Sequence, residues 1–237
     1  RRSAAHADDP SRFSHTVAPA HTMHLPSFSL VTLLLCGLMT PGAVAAGSGA
    51  ESAATQASKK GSMTTKRILM VTTSADRMTP GTEPTGVWLE ELTTPYYAFT
   101  DAGAQVTVAS IKGGRVPVDA RSVNEAGRND ASVERYLKDA ALQGKVSATP
   151  KFTDIDPRDF DALFLPGGHG TMFDYPGSAE LARLVERFDR EGKVVAAVCH
   201  GPAGLVSAQK PDGTPFVAGR RVAAFTDSEE RAVGLDK

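Results

Sequence analysis

Lys193-Val-Val-Ala-Ala-Val-Cys-His-Gly-Pro-Ala-Gly-Leu205 is the stretch on which the reading of this chain turns. Small and β-branched apolar residues follow one another from Val194 to Val198, the pattern of a strand buried on both faces, and run without a break into a thiol, a histidine and a Gly-Pro pair. Ala197 and Gly201 are small enough for the sharp strand-to-helix elbow on which a nucleophile is displayed. The amides and partial positive charge at the start of the following helix are expected to favour a thiolate at Cys199, the attacking form of the group. His200 is the candidate imidazole partner. The competing reading is a buried structural cysteine, the commoner fate of a lone thiol.

Working outward, the same kind of apolar run recurs at 67–73, 104–110 and 160–166, with a fifth candidate at 221–226. Helical segments are expected between several of them, at about 86–102, 130–143 and 178–191. Strand alternating with helix predicts an α/β fold with a parallel sheet covered on both faces. Sites in such sheets form beyond the carboxyl ends of the strands, so the loops after Thr73, Pro166, Val198 and Thr226 are the ones to inspect. In Pro166-Gly-Gly-His-Gly-Thr-Met172 the paired glycines let the backbone approach a substrate, and the amide of Gly168 together with that of His200 is a candidate oxyanion hole. The competing reading of this turn is a plain connection in which His169 only caps or lines the loop.

A third signal is a carboxylate in an apolar setting. Helical spacing over Val87–Phe99 places Trp88, Glu91, Pro95, Tyr96 and Phe99 along one face, so Glu91 shares the stripe that faces the sheet, where burial raises a carboxyl pKa. Pro95 cannot donate to the Glu91 carbonyl, which makes that turn of helix irregular. An acid kept partly protonated beside a thiol suits proton transfer; otherwise Glu91 is a surface residue.

Composition narrows the class. Hydrophobic residues at 41% and charged residues at 22% match a soluble globular protein, and 237 residues suffice for one α/β domain plus a leader. A formal net charge of -1, with no run of basic residues longer than two, lacks the footprint of a nucleic-acid binder. The two cysteines, Cys36 and Cys199, provide no disulfide framework. Residues 1–22 read as a polar extension and 23–46 as a signal-peptide-like segment. Its apolar core, Leu30–Met39, is shorter than the roughly twenty residues of a membrane span, and Pro41-Gly-Ala-Val-Ala-Ala46 has the small-x-small pattern of a cleavage site. Export to a periplasmic or extracellular location is therefore expected, with no membrane anchor in the mature form. The alternative is a cytoplasmic protein starting at Met63. Residues 47–65 are expected to be a flexible linker and 66–237 the folded domain.

The set Gly86-Val-Trp-Leu-Glu-Glu, Pro166-Gly-Gly-His-Gly-Thr-Met-Phe-Asp174, Val198-Cys-His-Gly-Pro202 and Phe225-Thr-Asp-Ser-Glu-Glu-Arg-Ala-Val-Gly234 resembles the DJ/PfpI superfamily, within the class I glutamine amidotransferase-like group. More narrowly it resembles the branch of heat-shock chaperones that also act as glutathione-independent glyoxalases, or glyoxalase III. The resemblance implies a flavodoxin-like single domain, commonly a homodimer, whose family pattern continues beyond Lys237. It implies Cys199 as nucleophile, His200 as its partner, Glu91 as the acid beside the thiol and Glu230 as the third member behind the histidine. Asp227 and Glu230 also have capping-box spacing, so the carboxylate of Glu230 has an alternative role in starting a helix. Neither a metal nor an organic cofactor is implied. The expected activity is stress-protective conversion of methylglyoxal or glyoxal, small dicarbonyls, to D-lactate or glycolate. The alternatives are a holdase that binds unfolded clients, or a cysteine peptidase or deglycase-type amidase using the same triad.

Overall fold

A computed structural model describes residues 65–78 and 83–234 of the chain. The expected leader and linker, 1–22, 23–46 and nearly all of 47–65, lie outside the described residues.

Four short strands make one parallel sheet: β1 (Arg67–Thr72), β2 (Gln105–Ser110), β3 (Ala162–Leu165) and β4 (Val194–Ala197), in the order β2-β1-β3-β4. Leu69 of β1 stands between Thr107 and Leu163, and Leu163 faces Val195 across the next pair. Successive strand side chains point to opposite faces, and two apolar clusters follow from that alternation. Leu69, Val71, Leu163 and Leu165 join α5 (Ala179–Arg190) on one face, whereas Ile68, Met70, Val106 and Val108 join α1 (Leu89–Asp101) and α3 (Ala140–Ser147) on the other. A parallel sheet sandwiched by helices, with β1 central and its connections running to both sides, is the flavodoxin-like arrangement.

Helix α5 illustrates the local logic. Ser178 caps it by accepting from the amide of Leu181, and Leu181, Leu184, Val185 and Phe188 bury one stripe against the sheet. Phe188 is fully buried, so Phe188→Ala is expected to lower unfolding stability by about 3–5 kcal/mol, measured by urea denaturation.

Five expectations are corrected. β4 is not buried on both faces: Val194 is 62% exposed and Val195, Ala196 and Ala197 are half-buried. The buried face of α1 carries Leu89, Leu92, Thr93, Tyr96 and Tyr97, whereas of the expected stripe only Tyr96 is buried and Trp88, Glu91, Pro95 and Phe99 are half-buried. The helix at 86–102 starts only at Leu89. Gly86 is packed against the Pro117 backbone, Val87 donates to the Pro117 carbonyl at 2.9 Å, and Trp88 is the extended N-cap. The single helix at 130–143 is two, α2 (Ala131–Tyr136) and α3, because the Asp139 side chain accepts from the Leu142 amide and from the Tyr97 hydroxyl, starting a new helix at that point. The fifth strand at 221–226 does not form. Val222 is 49% exposed, and Phe225 makes one backbone bond, to the Cys199 carbonyl at 2.9 Å, before α6 (Asp227–Val233) begins.

Candidate active site

The chain turns abruptly at the end of β4. Cys199 has φ 54, and it is the only residue other than glycine with positive φ among the described residues. A left-handed residue with a Cβ costs about 1–2 kcal/mol, a strain that tertiary contacts must hold in place. Gly201 donates to the Val198 carbonyl at 2.7 Å, closing the turn, and Gly201–Leu205 continues as a 3-10 helix. Space around the elbow exists only because glycines border it. A Cβ on Gly167 would lie 2.5 Å from a Glu91 oxygen and 2.7 Å from the His200 nitrogen.

The expected residues meet here. Cys199 Sγ is 3.1 Å from His200 Nδ1, and His200 Nε2 is 2.6 Å from Glu230 Oε1. Glu91 arrives from the first turn of α1, accepts from the Gly167 amide at 3.0 Å and hydrogen-bonds the thiol. The amides of Gly168 and His200 both donate towards the sulfur. All five positions named from the sequence, Cys199, His200, Glu91, Glu230 and Gly168, therefore surround one point. The helix-starting alternative for Glu230 is displaced by one residue: Thr226 and Glu229 form the capping box of α6, which leaves the Glu230 carboxylate free to face the histidine.

The electrostatics differ from the expected thiolate. Burial pushes the Cys199 thiol up to about 12, and the charge and hydrogen bond of Glu91 add to the rise, outweighing the two amides that stabilise the anion. Burial likewise raises Glu91, against the hydrogen bonds from Cys199 and Gly167. Burial is the largest cause of both shifts; Glu91 adds to the rise of Cys199, whereas Cys199 opposes the rise of Glu91. At rest the Cys199 sulfur is held as a thiol beside His200 and Glu91. Burial also lowers His200, against the pull of Glu230. Glu230 is itself raised by burial, but the bonds from His200 and His169 outweigh this and hold it below the usual carboxylate range.

A cavity of about 340 Å³ opens above the sulfur, walled by Trp88, Phe225 and Val233 and edged by Arg121 and His169. The Phe225 ring stacks on His200 with centroids 4.5 Å apart. Arg121 and the buried Asp119 that grips it were not found from the sequence; they belong to a single 3-10 turn, Ala120–Ser122, which Asp119 caps by accepting from the Arg121 amide, and their two-residue spacing carries no distinctive signal. His169, His200 and Glu230 each bring one potential metal-ligand atom within 4.8 Å of the others.

Residues 84–228 match the model of the DJ-1/PfpI family. The chain is similar to "Glyoxalase 3" of Candida albicans, 31% identical over 72% of each chain. It is also similar to "Glutathione-independent glyoxalase HSP31" of Saccharomyces cerevisiae, 33% identical over 73% of this chain and 74% of that one. Among solved structures, glyoxalase III from Candida albicans superposes with a TM-score of 0.65 at 31% identity, covering 72% of each chain.

Proposed function

The chain belongs to the DJ-1/PfpI family, and on that premise we propose that it is a glutathione-independent glyoxalase, a lyase-type enzyme that turns methylglyoxal or glyoxal into the 2-hydroxy acid. The observation that carries the reading is the hydrogen-bonded line from Cys199 through His200 to Glu230, with the Glu91 carboxylate on the same sulfur.

His200 Nδ1 takes the thiol proton as sulfur adds to the aldehyde carbon, giving a hemithioacetal whose new oxyanion is met by the Gly168 and His200 amides and then protonated. A base, Glu91 or His200, removes the proton from that carbon and returns one to the neighbouring carbonyl carbon through an enediol, leaving a thioester of the 2-hydroxy acid. Water hydrolyses the thioester, releasing lactate or glycolate and restoring the thiol. Holding the resting sulfur protonated suits this cycle, because a proton is available to be passed on. A cavity of about 340 Å³ admits a three-carbon dicarbonyl with ease and favours a small molecule over an extended peptide.

The test is to give the purified chain methylglyoxal, glyoxal and fluorogenic peptide amides in buffer free of glutathione. Loss of the dicarbonyls with no peptide cleavage is expected, and peptide cleavage without dicarbonyl loss would replace the proposal with the peptidase reading. A homodimer and export directed by 23–46, with a cytoplasmic location as the alternative, extend the proposal, and client-holding under stress is an alternative function. Among the described residues no helix is long and apolar enough to cross a membrane.

The pH profile has a definite sign. His200 accepts a proton only when neutral, and burial lowers its pKa from the ordinary 6.5. The acid limb of kcat/KM should therefore fall with a midpoint below 6.5. In Glu230→Gln it should move lower still, because Glu230 raises His200. A limb that moves upward would contradict the assignment.

A further inference from the structure

His169 enters the sequence reading only as a residue that lines or caps the loop after β3, yet it stands beside the proposed triad. Its ring centroid is 4.2 Å from that of His200, its Nε2 is 3.0 Å from Glu230 Oε2, and its Nδ1 is 3.5 Å from Arg121 Nη2. Arg121 is gripped in turn by the buried Asp119, which accepts from Nε at 2.9 Å and from Nη2 at 2.6 Å. The carboxylate of Glu230 thus carries a histidine on each oxygen, His200 on Oε1 and His169 on Oε2.

This frame fixes where the proton of His169 belongs. Arginine has donors only, so the nitrogen facing Arg121 presents its lone pair, and Nε2–H donates to Glu230. A metal bound by the Nε2 atoms of both histidines would reverse that arrangement. It would place the His169 proton on Nδ1, aimed at a guanidinium, where a metal-bound imidazole normally finds a carboxylate or a carbonyl. The surroundings of His169 suit a hydrogen-bond donor to Glu230 better than a metal ligand.

We infer that His169 is a positioning residue for the cysteine chemistry, acting through Glu230. A glutamate side chain has several free torsions, and its terminal one is broad. One bond to His200 holds one oxygen and leaves the carboxylate free to swing. The second bond, to an imidazole itself oriented by the Arg121–Asp119 pair, removes that freedom and keeps Oε1 on His200, so that Nδ1 stays aimed at the sulfur. This rests on the proposal that Cys199 is the nucleophile.

The experiment measures the thiol directly. Iodoacetamide alkylation of Cys199 is followed across the pH range in the wild type, His169→Leu, His169→Gln and Glu230→Gln, and in His169→Leu combined with Glu230→Gln. The expected result is an alkylation rate lowered about tenfold in His169→Leu and largely retained in His169→Gln, whose amide still donates to Glu230. In the Glu230→Gln background His169→Leu should cost nothing further, because the carboxylate through which it acts is gone. The methylglyoxal kcat of His169→Leu should fall with KM little changed. Equal slowing in both backgrounds, or equal slowing in the Leu and Gln variants with unchanged thermal unfolding, overturns the role. Alkylation data of the expected form with no methylglyoxal turnover in the wild type would sink the glyoxalase reading and leave the positioning role standing.

Discussion

Cys199→Ser is expected to lower methylglyoxal turnover by about four orders of magnitude or more while leaving thermal unfolding close to that of the wild type. The substitution replaces sulfur by the smaller oxygen at a half-buried position, so little packing is lost. What disappears is the nucleophile. The site is already poor at stabilising an anion here, since burial and Glu91 push even the thiol up to about 12. An alcohol, intrinsically a weaker acid than a thiol, gains nothing from such surroundings and presents a harder nucleophile to the same His200 base. Substantial turnover in a variant that unfolds like the wild type would remove Cys199 from the mechanism.

Glu91→Gln is the second large effect, and it should separate two properties that usually fall together. Without the carboxylate the enediol step loses its proton carrier, and turnover should drop by about a hundredfold or more. The thiol itself should become more acidic, because the charge of Glu91 and its hydrogen bond to the sulfur both raise the Cys199 pKa. Iodoacetamide alkylation at neutral pH should therefore be as fast as in the wild type or faster. Glu230→Gln contrasts with it: alkylation and turnover should weaken together, since both need an oriented His200. Near-normal turnover in Glu91→Gln would assign the proton transfer to His200 alone.

The strands were legible because each run is mostly apolar, and 67–73, 104–110, 160–166 and 193–198 each contain an observed strand. Burial was not: β4 is not covered on both faces, with Val194 62% exposed. The fifth run, 221–226, looks similar in composition but pairs with no neighbour, and composition does not record pairing. The candidate site was legible where a residue broke its local pattern, as a thiol at a strand end does, and Cys199 with its neighbour His200 was found that way. Glu91 was reached through a stripe that the structure does not bury, since the covered face of α1 is Leu89, Leu92, Thr93, Tyr96 and Tyr97 and Glu91 is half-buried beside it. Glu230 came only with the family resemblance. Asp119, Arg121 and the second tether of Glu230 were missed because they depend on a short 3-10 turn, Ala120–Ser122, meeting the loop after β3, a long-range contact that local sequence does not record. The thiolate was misjudged for a related reason. A helix start is visible in sequence, whereas the desolvation that outweighs it is a property of the packed site.

Product stoichiometry is the measurement to make first: lactate formed per methylglyoxal consumed, in buffer containing no glutathione or other free thiol. One lactate for each dicarbonyl, sustained over many turnovers, is the predicted result. Dicarbonyl loss without lactate, which is what simple scavenging by lysine and arginine side chains would give, would contradict it.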